Sequence, residues 1–244
     1  MIENEITKSY FETQRERLVE IRDNLGQKTY GVEWGLRMVL QRLCFVVPSA
    51  YIKKCSDGKL LLRRRKDIEI YAFFKLLIVS VVVFSGLAAL WIGLIILFIA
   101  GFDTFHALLC RIFLNKEWRE EVSPKRNLIM AFVNYVEIAV CFAGAYLFCD
   151  QYQNPAKGYA FIIHNQIDVG THHLTSTQAV YYSFVTGATV GYGDISAASA
   201  PAQFLVCLQV MVSLFFVVVI ITNMMANFSK AGLANQQSDN CPSK

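Results

Sequence analysis

The run Thr189-Val190-Gly191-Tyr192-Gly193-Asp194 places two glycines at alternate positions, a hydroxyl at one end and a carboxylate at the other. Turning successive backbone carbonyls to one side demands φ angles that ordinary L-residues resist. Gly191 and Gly193 can adopt positive φ at little steric cost. A column of carbonyl oxygens built this way can stand in for the water around an alkali cation. The chemistry offered is coordination, with no bond made or broken. A Gly-Tyr-Gly turn alone is a weak signal, so the elements around it decide its meaning.

Those elements suit a membrane. Thr177 to Gly187 is a short amphipathic stretch directly ahead of the motif. Leu128 to Phe148 and Ala202 to Met225 flank it as apolar runs near the roughly 20 residues that cross a hydrocarbon core. Irregular backbone at that depth is tolerated only where it lines a watery path away from lipid. Composition agrees: 55% of residues are apolar and 17% charged, against about a quarter charged in soluble domains. The formal net charge of +4 is small and gives nucleic-acid binding little support. No nucleophile–base pair, metal cluster or phosphate loop is legible, so no enzyme and no cofactor is expected.

The stretch Ala179-Val-Tyr-Tyr-Ser-Phe-Val-Thr-Gly-Ala-Thr-Val-Gly-Tyr-Gly-Asp194, set between two spans, resembles the pore domain shared by potassium channels. The resemblance covers about Asn127 to Ser229: outer helix, pore helix, filter and inner helix. It implies an all-α membrane protein in which K+ is the permeant ion. Carbonyls of Thr189, Val190, Gly191 and Tyr192 would hold it, with the Thr189 hydroxyl innermost. One such segment cannot surround an ion, so four copies must meet about an axis; a homotetramer follows, with heteromers left open. Val190 and Tyr192 are expected to turn outward into a cuff against the pore helix.

The departures from the family pattern are informative. Ala188 stands where many relatives have a second threonine. Val185 stands where some bacterial relatives carry a glutamate that pairs with the filter aspartate. Asp194 then needs another partner, and the Tyr181 hydroxyl is the candidate; the plainer role for Tyr181 and Tyr182 is that of interfacial aromatics. Ser213 occupies the place of a hinge glycine. Leu214, Val217, Ile221 and Met225 should face the axis, as a dewetting gate or as an ordinary cavity wall.

The N-terminal part reads differently. Glu3 to Leu25 carries Ile6, Tyr10, Leu18, Ile21 and Leu25 as an apolar stripe. Val32 to Val47 holds Glu33, Arg37 and Arg42, stops at Pro48, and suits a helix lying on the membrane or packing against a neighbouring subunit. Lys53, Lys54, Lys59, Arg63, Arg64, Arg65 and Lys66 form a cationic cluster, either an anionic-lipid site or a topology anchor. On the other flank stand Arg111, Lys116, Arg119, Lys125 and Arg126, whereas the later outer loop has only Lys157. The excess of cations on both flanks places both in the cytoplasm, so the crossings between them must be even. Two helices turning near Ser85 to Gly93, with Trp91 at the interface, satisfy this and make four spans; one long tilted helix is the rival. The expected division is a cytoplasmic region 1–68, a transmembrane hairpin 69–114, a pore domain 127–229 and a cytoplasmic tail 230–244.

Smaller expectations complete the reading. Asp103, His106 and Cys110 share a helical face, with Asp103 paired to His106 and a pH sensor as the sharper alternative. His164, His172 and His173 should be solvated. The seven cysteines show no metal-ligand spacing and are expected as reduced thiols. The polar start predicts no cleavable signal peptide. No span carries arginines at every third position, so steep voltage dependence is not expected. Two other functions stay open: a regulatory or weakly conducting channel subunit, and a non-selective cation channel.

Overall fold

The computed structural model describes residues 10–23, 31–55, 61–114, 124–153, 158–164 and 173–239. It forms two compact units, Met1–Leu77 with Ile99–Glu121, and Ile78–Phe98 with Val122–Lys244.

The first unit contains α1 (Tyr10–Arg22), α2 (Val32–Leu43), α3 (Pro48–Cys55) and parts of α4 (Leu61–Phe84) and α5 (Trp91–Phe113). A buried amide pair joins α1 to α2: Gln41 Nε2 donates to the Gln14 carbonyl at 3.1 Å and to Gln14 Oε1 at 2.8 Å. Pro48 does not merely stop a helix. α2 ends at Leu43, and Pro48 opens α3, where its missing N–H costs nothing because the first turn has no use for it.

Asp103 also corrects the sequence reading. Its carboxylate takes Lys75 Nζ at 3.0 Å, the Tyr71 hydroxyl at 3.0 Å and the Ser49 N–H at 3.1 Å. The hydrogen bonds of Asp103 go to these three groups, and those of His106 go elsewhere. Lys75 lies opposite, while the His106 ring reaches the Leu40 carbonyl at 3.0 Å.

The second unit holds the remainder of α4 and α5 with α6 (Pro124–Tyr152), α7 (Ser176–Gly187), α8 (Ala200–Asp239) and a small sheet. The segment after Ile70 is two helices, broken at Ser85–Leu90 by a turn in which Gly86 has φ 78°. Trp91 opens α5 and packs on Phe148 and Tyr152, ring centroids 4.7 and 5.6 Å away. Among the described residues, three helices are long and apolar enough to cross a membrane: Trp91–Cys110, Leu128–Tyr152 and Ala200–Ile221. α4 is not among them, because Asp67, Glu69 and Lys75 dilute its apolar run.

The all-helical expectation omitted one element. β1 (Phe161–Ile163) pairs antiparallel with β2 (Ile195–Ala197), Ile162 opposite Ser196. Strands this short leave no alternation to read. Phe161 forms a triangle of edge-on rings with Tyr146 and Tyr182, at 5.4 and 5.5 Å, and Tyr146 meets Tyr182 at 5.2 Å. Their burial among Leu174, Ile195 and Ala202 fixes α6, α7 and the sheet around one core.

Candidate functional site

α7 begins with a reciprocal cap. The Thr175 hydroxyl accepts from the Gln178 N–H at 3.3 Å, and Gln178 Oε1 accepts from the Thr175 N–H at 2.9 Å. Both satisfy amides that a first turn leaves without partners. At the other end, the N–H groups of Ala188, Thr189 and Val190 donate to the carbonyls of Phe184, Thr186 and Val185, each at 2.9 Å. The chain therefore leaves the helix directly into the motif, on the side where the helix dipole is negative.

Positive φ recurs at every second residue: Thr189 at 55°, Gly191 at 61° and Gly193 at 79°. Alternation of this kind turns consecutive carbonyls toward a common side. The glycines take it without strain. Thr189 is β-branched and does not, at a cost of roughly 1–3 kcal/mol that the surroundings must sustain; the sequence reading had not placed it in this region. Val190 and Tyr192 are 51% and 70% exposed. Among the described residues of one chain nothing covers them, so the expected cuff is not seen there.

The carboxylate at the end of the motif is anchored. The Tyr181 hydroxyl donates to Asp194 Oδ2 at 2.8 Å and the Ile195 N–H to Oδ1 at 3.1 Å. The hydrogen bond to Asp194 pushes the Tyr181 phenol above its ordinary range, so it stays a donor. The Asp194 carbonyl accepts from the His164 N–H at 2.8 Å, which ties the motif to β1. Tyr182 sits in the aromatic core, and Val185 is half-buried. Two of the outer histidines have polar partners: His164 Nε2 lies 3.1 Å from Ser196 Oγ, and His173 Nδ1 lies 3.0 Å from Asp150 Oδ2. His172 falls outside the described residues.

Behind α7 lies a buried polar network that sequence reasoning missed. Gln209 of α8 is fully buried, and its Nε2 donates to the Ser183 carbonyl at 2.6 Å and to Ser183 Oγ at 2.8 Å. The Tyr146 hydroxyl donates to Gln209 Oε1. Ser183 Oγ donates onward to the Ala139 carbonyl of α6 at 2.6 Å. Gly187 fits into this network by its size. A Cβ there would lie 3.0 Å from the Tyr135 hydroxyl and 3.1 Å from both Gln209 Nε2 and Ser213 Oγ. A glutamine in so apolar a span, like the fully buried Glu137 of α6, was itself the available signal, because polar groups in spans are expensive and usually serve a purpose.

The remaining expected residues are spread out. α8 runs unbroken past Ser213, which is buried and turned toward Gly187. Leu214, Val217 and Ile221 are 51%, 41% and 51% exposed. The Met225 side chain and those of Arg63, Arg64 and Arg65 lie outside the described residues, and Lys66 is exposed. The first unit contributes one more correction. Cys44, His106 and Cys110, which showed no ligand spacing along the chain, lie together and buried.

Residues 135–230 match the ion channel family. No curated protein and no solved structure matches the chain.

Proposed function

We propose that the chain is one subunit of a potassium-selective channel, four copies of which enclose a single pore. The alternating φ at Thr189, Gly191 and Gly193 carries this reading. Four such backbones around an axis supply stacked rings of oxygens at Thr189, Val190, Gly191 and Tyr192, which replace the hydration shell of K+ as it passes. The exposure of Val190 and Tyr192 supports assembly, because apolar and aromatic side chains beside an ion path need cover from neighbouring copies.

α4 serves as the fourth span in this reading. Its exposed apolar side chains include Phe74, Leu77, Val81 and Phe84, and Lys75 is neutralised by Asp103 at 3.0 Å. An even number of crossings keeps both termini cytoplasmic in the cell membrane and leaves Arg63, Arg64, Arg65 and Lys66 at the inner leaflet, within reach of anionic headgroups. Leu214, Val217, Ile221 and Met225 of the inner helix line the cavity as a hydrophobic constriction.

The test is ion flux from purified protein in liposomes under separate K+ and Na+ gradients. Flux of K+ far exceeding that of Na+ is expected. Equal flux of the two ions would assign a non-selective channel, and no flux with intact assembly a regulatory subunit.

A further inference from the structure

Outside the segment that matches the channel family, three metal-ligating side chains converge in the first unit. His106 and Cys110 stand four residues apart on one face of α5, and Cys44 is the residue that ends α2. Their side chains are closed off from solvent: Cys44 is 1% exposed, Cys110 0% and His106 3%. Leu36, Leu40, Leu109, Phe113 and Leu114 form an apolar wall around the thiols.

The spacing is that of a coordination polyhedron. Tetrahedral zinc, with Zn–S near 2.3 Å and Zn–N near 2.0–2.1 Å, sets two thiolates about 3.8 Å apart and a thiolate and an imidazole nitrogen about 3.6 Å apart. Here the two Sγ atoms are 3.8 Å apart, and His106 Nε2 lies 3.3 Å from Cys110 Sγ and 3.9 Å from Cys44 Sγ. A disulfide needs about 2.05 Å between the sulfurs, so the pair is not bonded.

We propose that Cys44, His106 and Cys110 bind one thiophilic divalent cation of the zinc class. Both cysteines ligate as thiolates and His106 as neutral imidazole through Nε2. The Leu40 carbonyl, 3.0 Å from the same nitrogen, takes the fourth corner, and the metal replaces the proton shared there. Two thiolates and a dication sum to no net charge. That balance is what an apolar pocket requires, since a lone buried charge is very costly. Soft sulfur donors favour zinc over magnesium or calcium. With every corner filled by protein, the site is a structural staple joining the end of α2 to α5 rather than a reaction centre. The proposal is independent of the pore reading, because none of its ligands lies in the matched segment.

The experiment uses the full chain, purified in detergent under reductant, stripped with a chelator and titrated with Co2+ as probe. The expected result is one equivalent per subunit. It should give thiolate-to-cobalt charge-transfer absorption and the intense visible bands of a four-coordinate ion, both abolished by Zn2+. Cys44→Ser, Cys110→Ser and His106→Gln should each weaken binding by about 100-fold or more, whereas the exposed Cys55 can be changed to Ser without effect. If those variants fail to fold, alkylation of the unaltered protein decides. In mild denaturant, where the apo pocket opens, Zn2+ should slow maleimide labelling of Cys44 and Cys110 while Cys55 reacts with and without metal. Absence of sulfur-to-cobalt absorption, equal labelling of Cys44 and Cys110 with and without Zn2+, or affinity unchanged in a folded Cys44→Ser variant would each overturn the assignment.

Discussion

Replacing Gln209 with leucine tests whether the network behind α7 holds that helix in place. The change keeps the side chain's approximate volume and removes three hydrogen bonds, to the Ser183 carbonyl, to Ser183 Oγ and from the Tyr146 hydroxyl. The two to Ser183 are the smaller loss. Hydrogen bonds inside membrane proteins average only about 0.6 kcal/mol, and the carbonyl of Ser183 keeps its place in the helix. The Tyr146 hydroxyl, in a fully buried residue, is left with a donor and no acceptor, which costs about 1–3 kcal/mol. The sum is about 2–4 kcal/mol per subunit, measurable as a shift in chemical denaturation of the detergent-solubilised assembly. The double variant Tyr146→Phe with Gln209→Leu removes the orphaned group and should recover roughly 1–2 kcal/mol of the loss, the asymmetry expected when both partners go. K+ flux in liposomes should fall with Gln209→Leu and partly return in the double variant. A single-variant cost below about 0.5 kcal/mol, or a double variant worse than the sum of the singles, would show that the network does not position α7.

Asp103→Leu leaves Lys75, whose side chain is only 12% exposed, without its carboxylate and should cost about 3–5 kcal/mol, while Lys75→Met with Asp103→Leu should restore most of it; denaturation midpoints of the four proteins give the coupling. Tyr181→Phe removes the donor to Asp194 and, if the motif is the proposed filter, should weaken its Asp194 end by about 1 kcal/mol. In single-channel recordings that appears as a roughly fivefold shift between conducting and non-conducting dwell times, and unchanged dwell times would count against the contact. Gly187→Ala pushes a methyl toward Tyr135, Gln209 and Ser213 and should destabilise by about 1–3 kcal/mol through overpacking, visible as a lowered melting temperature of the assembly.

The amino-acid sequence alone determined what depends on neighbours along the chain. Glycine at alternate positions located the stretch of alternating positive φ at Gly191 and Gly193, because φ is a local property and few residues tolerate the positive range. Apolar runs located α6 and α8, because crossing a bilayer is a matter of length. The cation balance of the flanks called for a break between Ile70 and Leu114, and α4 and α5 part at Ser85–Leu90. Pro48 was misread because a proline stops one helix and starts the next by the same missing N–H.

Tertiary structure decided everything that needs residues far apart to meet. Lys75 finds Asp103, Gln209 finds Ser183, β1 finds β2, and Cys44 finds Cys110 across 66 positions. None of these pairings has a period or a spacing to betray it. Each exists because a polar group taken out of water must meet another, and only the packed chain settles which one is within reach.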